Sequence, residues 1–173
     1  MMARTLPPIA FLRECFSYNP DTGEFRWKTR PVEHFANAHF AASWNTLHAG
    51  KPAFTSLRPN GYFFTCVTYK GSPHRLYASR VGYALMTGEE PPTVDHINRC
   101  ITDNRFANLR AASRTENLRN RLGHSRKGLP KGVYPNSGKF AAQMTVNRKS
   151  VYLGLYNTPE EAHAAFCAAA SKL

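Results

Sequence analysis

Asp95 and His96 stand side by side within Val94-Asp95-His96-Ile97-Asn98, followed by Asp103-Asn104-Arg105, Asn108-Leu109-Arg110, Glu116-Asn117 and Asn120. These residue types could together hydrolyse a phosphodiester. Water must lose a proton near neutral pH, and imidazole titrates in that range. The phosphate and the departing 3′-oxygen need positive charge, which a bound divalent cation supplies. A hard cation such as magnesium prefers oxygen ligands. One carboxylate and one amide oxygen would leave room on it for phosphate and water. An Asp-His dipeptide alone is common; the asparagines and arginines around it give it weight.

Such residues must be held by elements. Residues 94–98 read as extended, 99–105 as a polar loop, and 108–110 as a brief strand. Ser113 or Thr115 can cap a helix through Glu116 to Arg121. The order is strand, loop, strand, helix. Neighbours on a strand point to opposite sides, unless a bulge splays them. One of the pair could hold metal while the other faces water. The helix is the natural source of a second metal ligand, Asn117.

The chain has 173 residues, of which 42% are hydrophobic and 20% charged, which excludes a disordered polymer. Its 23 Lys and Arg outnumber 11 Asp and Glu, giving +12. That excess favours a polyanionic partner, nucleic acid above a membrane surface. The surplus is unevenly spread. Residues 93–131, the shortest of three regions, carry nine basic groups and three acidic ones. No stretch approaches a membrane span, and Met1–Ala10 lacks the apolar run of a signal peptide. An intracellular protein is expected. The final Ser171-Lys172-Leu173 spells a peroxisomal address, set aside as a three-residue coincidence. Cys15, Cys66, Cys100 and Cys167 are scattered without zinc-knuckle spacing. They are expected to be four reduced thiols, some partly buried.

Residues before 93 suggest a helix from Pro8 to Tyr18 and a turn at Asn19–Gly23. A strand over Glu24–Lys28 should bury Phe25 and Trp27. Another is expected after Asn60-Gly61, from Tyr62 to Tyr69, with a short one over His74–Tyr77 and a helix over Ala78–Met86. Residues 31–48 read as an irregular insert. Residues 123–131 read as a basic linker. Beyond it, 132–134, 139–147 and 150–156 look like three antiparallel strands. Thr158-Pro159-Glu160-Glu161 opens a helix that must lie across that sheet. Tyr134, Tyr152, Tyr156 and Phe166 are expected in its core. Lys139, Gln143, Thr145, Arg148 and Lys149 are its candidate outward residues. A bulge is expected in the sheet.

The segment Val94–Asn120 resembles the core of HNH endonucleases, of the His-Me finger (ββα-metal) superfamily, in their phage- and intron-borne homing and nicking forms. The carriers are Asp95-His96-Ile97-Asn98, Asp103-Asn104-Arg105, Asn108-Leu109-Arg110 and Glu116-Asn117-Leu118-Arg119-Asn120. Tyr18–Trp27 resembles the family's N-terminal signature, and Arg80–Gly88 its preceding helix. Residues 131–170 resemble an APETALA-type DNA-binding domain, through Gly132-Val133, Tyr152-Leu153-Gly154 and Glu160-Glu161-Ala162. Ser79 and Cys100 depart from the usual residues at their positions.

The resemblance implies an α+β fold: a ββα-metal nuclease core with flanking N-terminal strands and helix, then a three-stranded antiparallel sheet packed on one helix. The implied domains are 1–122 (core 93–120), the linker 123–131, and 132–173. His96 would be the general base, and Asp95 and Asn117 would bind one divalent metal ion, magnesium, with manganese able to substitute. Asn108 would join the catalytic set by holding the loop that orients His96; Asp103 would only brace that loop. Arg105, Arg110, Arg114, Arg119, Arg121, Lys127, Lys139, Gln143, Arg148 and Lys149 would contact phosphate or DNA, although Arg105 or Arg110 could equally be a structural ion-pair partner. The partner would be double-stranded DNA, with no membrane, and the protein a monomer or homodimer. It would nick one strand, leaving 5′-phosphate and 3′-hydroxyl, in the cytoplasm of a bacterial host if phage-encoded. The competing reading is a DNA-binding protein that keeps the fold without turnover; an RNA binder gains nothing from the motif.

Overall fold

Pro8 starts the first helix without a side-chain cap, and α1 (Ile9–Cys15) buries Phe11, Leu12 and Cys15. The structure is a computed structural model that describes residues 5–91, 93–113, 129–170 and 172. The chain leaves the helix at Phe16, earlier than the apolar spacing predicts, because Phe16–Tyr18 pairs as β1 with β2 (Phe25–Trp27). The turn between them is closed by Asn19, whose Oδ1 accepts from the backbone of Asp21 and Thr22.

The segment read as irregular is mostly helical. A short 3-10 turn (Val32–His34) precedes α2 (Ala38–His48), whose N-cap Asn37 accepts from Phe40 N–H. Only Ala41 of α2 is buried, so no strong apolar stripe marks it in the sequence. Trp44 anchors it edge-on against Trp27. Arg30 is itself buried, with its guanidinium over the rings of Phe11, Phe35 and Trp44.

A three-stranded antiparallel sheet follows, formed by β3 (Ser56–Leu57), β4 (Phe63–Tyr69) and β5 (Ser72–Tyr77). The β4–β5 hairpin feeds α3 (Ala78–Thr87), which ends at Gly88 in the left-handed conformation. Val81 and Ala84 of α3 share a core with Leu12, Phe16, Phe25, Phe54 and Leu76. Next, β6 (Val94–His96) pairs antiparallel with β7 (Leu109–Ala111). The helix expected after Ser113 and residues 123–128 of the expected linker lie outside the described residues.

The last unit is the antiparallel sheet β8 (Val133–Asn136), β9 (Lys139–Val146) and β10 (Lys149–Tyr156), crossed by α4 (Pro159–Ala170). Thr158 and Glu161 cap α4 reciprocally: Thr158 Oγ1 accepts from Glu161 N–H, and Glu161 Oε2 from Thr158 N–H. Val133, Ala142 and Ala162 form this unit's core, with Phe140, Leu153, Tyr156 and Ala165 against it. Among the described residues none belongs to both cores. The bulge lies in β10, between Tyr152 and Gly154. It moves Leu153 out of the pairing and leaves Tyr152 opposite Gln143 on the face away from α4. Tyr152 is therefore exposed, at 57%, and Tyr134, set opposite Ala141 on the same face by the β8–β9 register, at 50%; neither is core as its size suggests. Among the described residues no helix is long and apolar enough to cross a membrane.

Candidate active site

Every residue of β6 is buried, Asp95 and His96 included. Register places Asp95 opposite Arg110 and His96 opposite Leu109. Asp95 Oδ2 accepts from both Nε and Nη2 of Arg110, at 3.0 and 2.8 Å. His96 turns to the loop instead. Its Nε2 lies 3.3 Å from Asn104 Oδ1, and its ring 6.0 Å from that of Tyr62. Burial lowers the His96 pKa, and the Asn104 hydrogen bond and the charges of Asp95 and Asp103 only partly oppose it. The imidazole is thus neutral at physiological pH, the form that can accept a proton.

The loop from Ile97 to Asn108 closes on itself. Asn108 is buried; its Oδ1 accepts from Asn98 N–H at 2.9 Å, and its Nδ2 donates to Asp103 O at 2.8 Å. Asn98 donates through Nδ2 to Asp103 Oδ2 and accepts from Cys100 N–H. Arg105 clamps both oxygens of Asp103, at 2.9 and 2.8 Å. Burial pushes the Asp103 carboxyl up, but the hydrogen bonds from Arg105 and Asn98 outweigh it and hold it low. Two of the guanidiniums expected at phosphate are therefore ion-paired: Arg105 with Asp103 and Arg110 with Asp95. Their side chains remain 33% and 49% exposed.

The N-terminal hairpin holds this loop from outside. Tyr18 donates its hydroxyl proton to Asn104 O at 2.6 Å, and Pro20 O accepts from Phe106 N–H. Gly23 lies against the same backbone, where a Cβ would meet the Asn104 carbonyl carbon at 2.6 Å. Sequence reasoning gave Asn104 and Tyr18 no role of their own. Asn104 did stand within the Asp-Asn-Arg string, and the Tyr18–Trp27 signature contains the brace, but nothing in either stretch announces their contact.

Asn117, Arg114, Arg119, Arg121 and Lys127 lie outside the described residues. Among the described residues no three His, Cys, Asp or Glu side chains gather as a metal-binding cluster. Asp95 alone of the two expected ligands is placed, and its buried carboxylate is a hard oxygen donor of the type magnesium accepts. On the last unit, Lys139, Thr145, Arg148 and Lys149 are exposed and Gln143 half-buried. Gln143 shares its face with Tyr152, Tyr134 and Leu155.

Residues 76–119 match the protein-family model described as HNH endonuclease. The match spans β6, β7 and the loop between them, together with α3. No curated protein and no solved structure matches the chain.

Proposed function

We propose that this chain is a metal-dependent endonuclease of duplex DNA that nicks one strand and leaves 5′-phosphate and 3′-hydroxyl ends. The nuclease match at 76–119 supports the class of reaction. The observation that carries the reading is the buried Asp95-His96 pair on a two-stranded ribbon, with the loop fixed by Asn108 inside that matched segment.

Neutral His96 takes the proton of the attacking water. Asn104 Oδ1 selects the tautomer with hydrogen on Nε2, which makes Nδ1 the basic nitrogen. Asp95 and Asn117 would hold one magnesium ion, and manganese can replace it. When bound, the cation supplies the positive charge that phosphate and leaving oxygen need. Arg110 orients Asp95 through its two hydrogen bonds to Oδ2. Asn108 fixes the loop through backbone hydrogen bonds and so sets where His96 points. Arg105, Arg114, Arg119, Arg121 and Lys127 supply phosphate contacts near the cut. The outward face of β9 and β10, with Lys139 and Gln143, and the hairpin end that carries Arg148 and Lys149 read the duplex in its major groove as an APETALA-type module would. The chain works as a monomer or a homodimer, in the manner of phage- and intron-borne homing enzymes.

Plasmid nicking in magnesium and in manganese, with wild type against His96→Ala, tests this. The substrate is a mixed library, because a selective enzyme ignores a generic plasmid. Metal-dependent open circles that His96→Ala loses are the expected result. Tight, steeply salt-dependent binding without any cleavage would instead make the chain a DNA-binding protein with a silent nuclease core.

A further inference from the structure

Cys100 and Cys167, 67 residues apart in sequence, are joined by a disulfide. This overturns the expectation of four reduced thiols; only Cys15 and Cys66 are free. Spacing could not reveal the pair, because the fold alone brings their Cα atoms within 5.5 Å. Cys100 belongs to the loop behind Asp95-His96. It is fully buried, its N–H donates to Asn98 Oδ1, and its Sγ lies 3.3 Å from Thr102 Oγ1. Cys167 belongs to α4 and is half-buried, so it is the sulfur that a small thiol can reach.

A proton acceptor stands at Cys167. His163, one helical turn earlier, places Nδ1 at 2.9 Å from Lys131 O. A carbonyl only accepts, so Nδ1 carries the hydrogen and Nε2 holds the lone pair. Nε2 is 3.6 Å from Cys167 Sγ. The Phe166 ring stacks parallel to the imidazole, tilted by only 10°. The disulfide also crosses between units whose cores, among the described residues, share none. Like charges approach at that seam. Burial, and then the Arg99 cation, push the Lys131 pKa down to about 8.

We infer that Cys100 and Cys167 form a reversible thiol–disulfide latch that fastens α4 to the loop behind Asp95-His96, closed by a small-molecule disulfide and opened by a small-molecule thiol. In closing, the Cys167 thiol gives its proton to His163 Nε2. The thiolate attacks the small disulfide, forms a mixed disulfide and expels one small thiolate. The sulfur of Cys100 then attacks that of Cys167, loses its proton and expels the second. The two cysteines lose two electrons and two protons, and the small disulfide becomes two thiols. Opening reverses these steps, with attack at Cys167 and Cys100 as leaving group. The latch itself needs no DNA. Its consequence rests on the nuclease reading above: the closed latch fixes the distance between the β9–β10 face and Asp95-His96. The spread of cut positions along a long duplex should then be narrower for the closed chain than for Cys167→Ser.

The test equilibrates the full chain in glutathione buffers from mostly oxidised to mostly reduced, traps thiols by alkylation, and digests with trypsin without reduction. Peptide Cys100–Arg105 joined to peptide Ser150–Lys172 is expected in oxidised buffer, and its loss in reduced buffer. The intact chain should be about 2 Da lighter when closed. Cys167→Ser should give no joined peptide and an alkylated Cys100. His163→Ala should close on the order of tenfold more slowly at pH 7, because less thiolate forms. A joined peptide that never appears, or one that excess reduced glutathione cannot remove, would overturn the latch. Closing rates for His163→Ala within twofold of wild type would overturn the role of His163. Because these readouts involve no cleavage, failure of the nuclease reading leaves them intact, and their failure leaves that reading intact.

Discussion

Gly23→Ala probes how the N-terminal hairpin governs a site more than seventy residues away in sequence. Gly23 has φ +76°, and an added Cβ would stand 2.6 Å from the Asn104 carbonyl carbon and 2.7 Å from Arg105 N. Ordinary contact begins at 3.4 Å, so one backbone must retreat by about 0.8 Å. If Asn104 gives way, its 3.3 Å approach to His96 opens to about 4.1 Å, too long for a hydrogen bond. The left-handed backbone alone costs alanine about 1 kcal/mol. The steric overlap adds about 1–3 kcal/mol, so the substitution should remove about 2–4 kcal/mol of stability. Gly71→Ala is the control: it has φ +74° and nothing within 4 Å of its added Cβ, so it should lose only about 1 kcal/mol. Urea denaturation reads the stability difference, and plasmid nicking reads the site. A displacement approaching 1 Å at a reacting group costs on the order of 100-fold in rate, which Gly23→Ala should show and Gly71→Ala should not. Equal stability and equal nicking for the two variants would refute the brace.

Asn108→Ala removes the partner of Asn98 N–H and of Asp103 C=O. With Asn108 buried, the loss should be about 2–4 kcal/mol, read by calorimetry as a Tm lower by about 5–10 °C. Because burial lowers the His96 pKa, the acid limb of the nicking profile should have its midpoint below the ordinary 6.5. The same shift destabilises the fold in acid, since the unfolded chain binds that proton more readily. The contribution is intact above pH 6.5 and declines below it, so His96→Gln should flatten the stability profile there. Asp103 adds a second decline: its folded pKa lies below 3.8, so its contribution persists above that value and disappears as pH falls through the folded pKa. Arg30→Ala empties the space between Phe11, Phe35 and Trp44 and removes the hydrogen bond to His34. It should cost about 2 kcal/mol in urea denaturation, and a wild-type midpoint would show that the ring cage contributes nothing.

Local patterns in the sequence determined much of this protein. The alternation around Phe25, the aromatic run of β4, the turn at Lys70-Gly71 and the Thr158–Glu161 cap each act within a few residues, so composition and spacing suffice to read them. The same holds for Asp95-His96 and for the asparagines that punctuate the following loop. What only the tertiary structure decided are pairings between distant residues. Residues 38–48 are a helix whose anchor is Trp44 against Trp27, a contact that carries no periodic signature. Tyr134 and Tyr152 face outward because the β10 bulge and the position of α4 assign the two faces of the last sheet, and side-chain size does not. Arg110 is paired with Asp95 because the β6–β7 register sets them opposite each other. Asn104 meets His96, Tyr18 reaches Asn104, and Cys100 finds Cys167 for the same reason. A contact between separated residues depends on where the whole chain returns in space, and neither residue's immediate neighbours encode that.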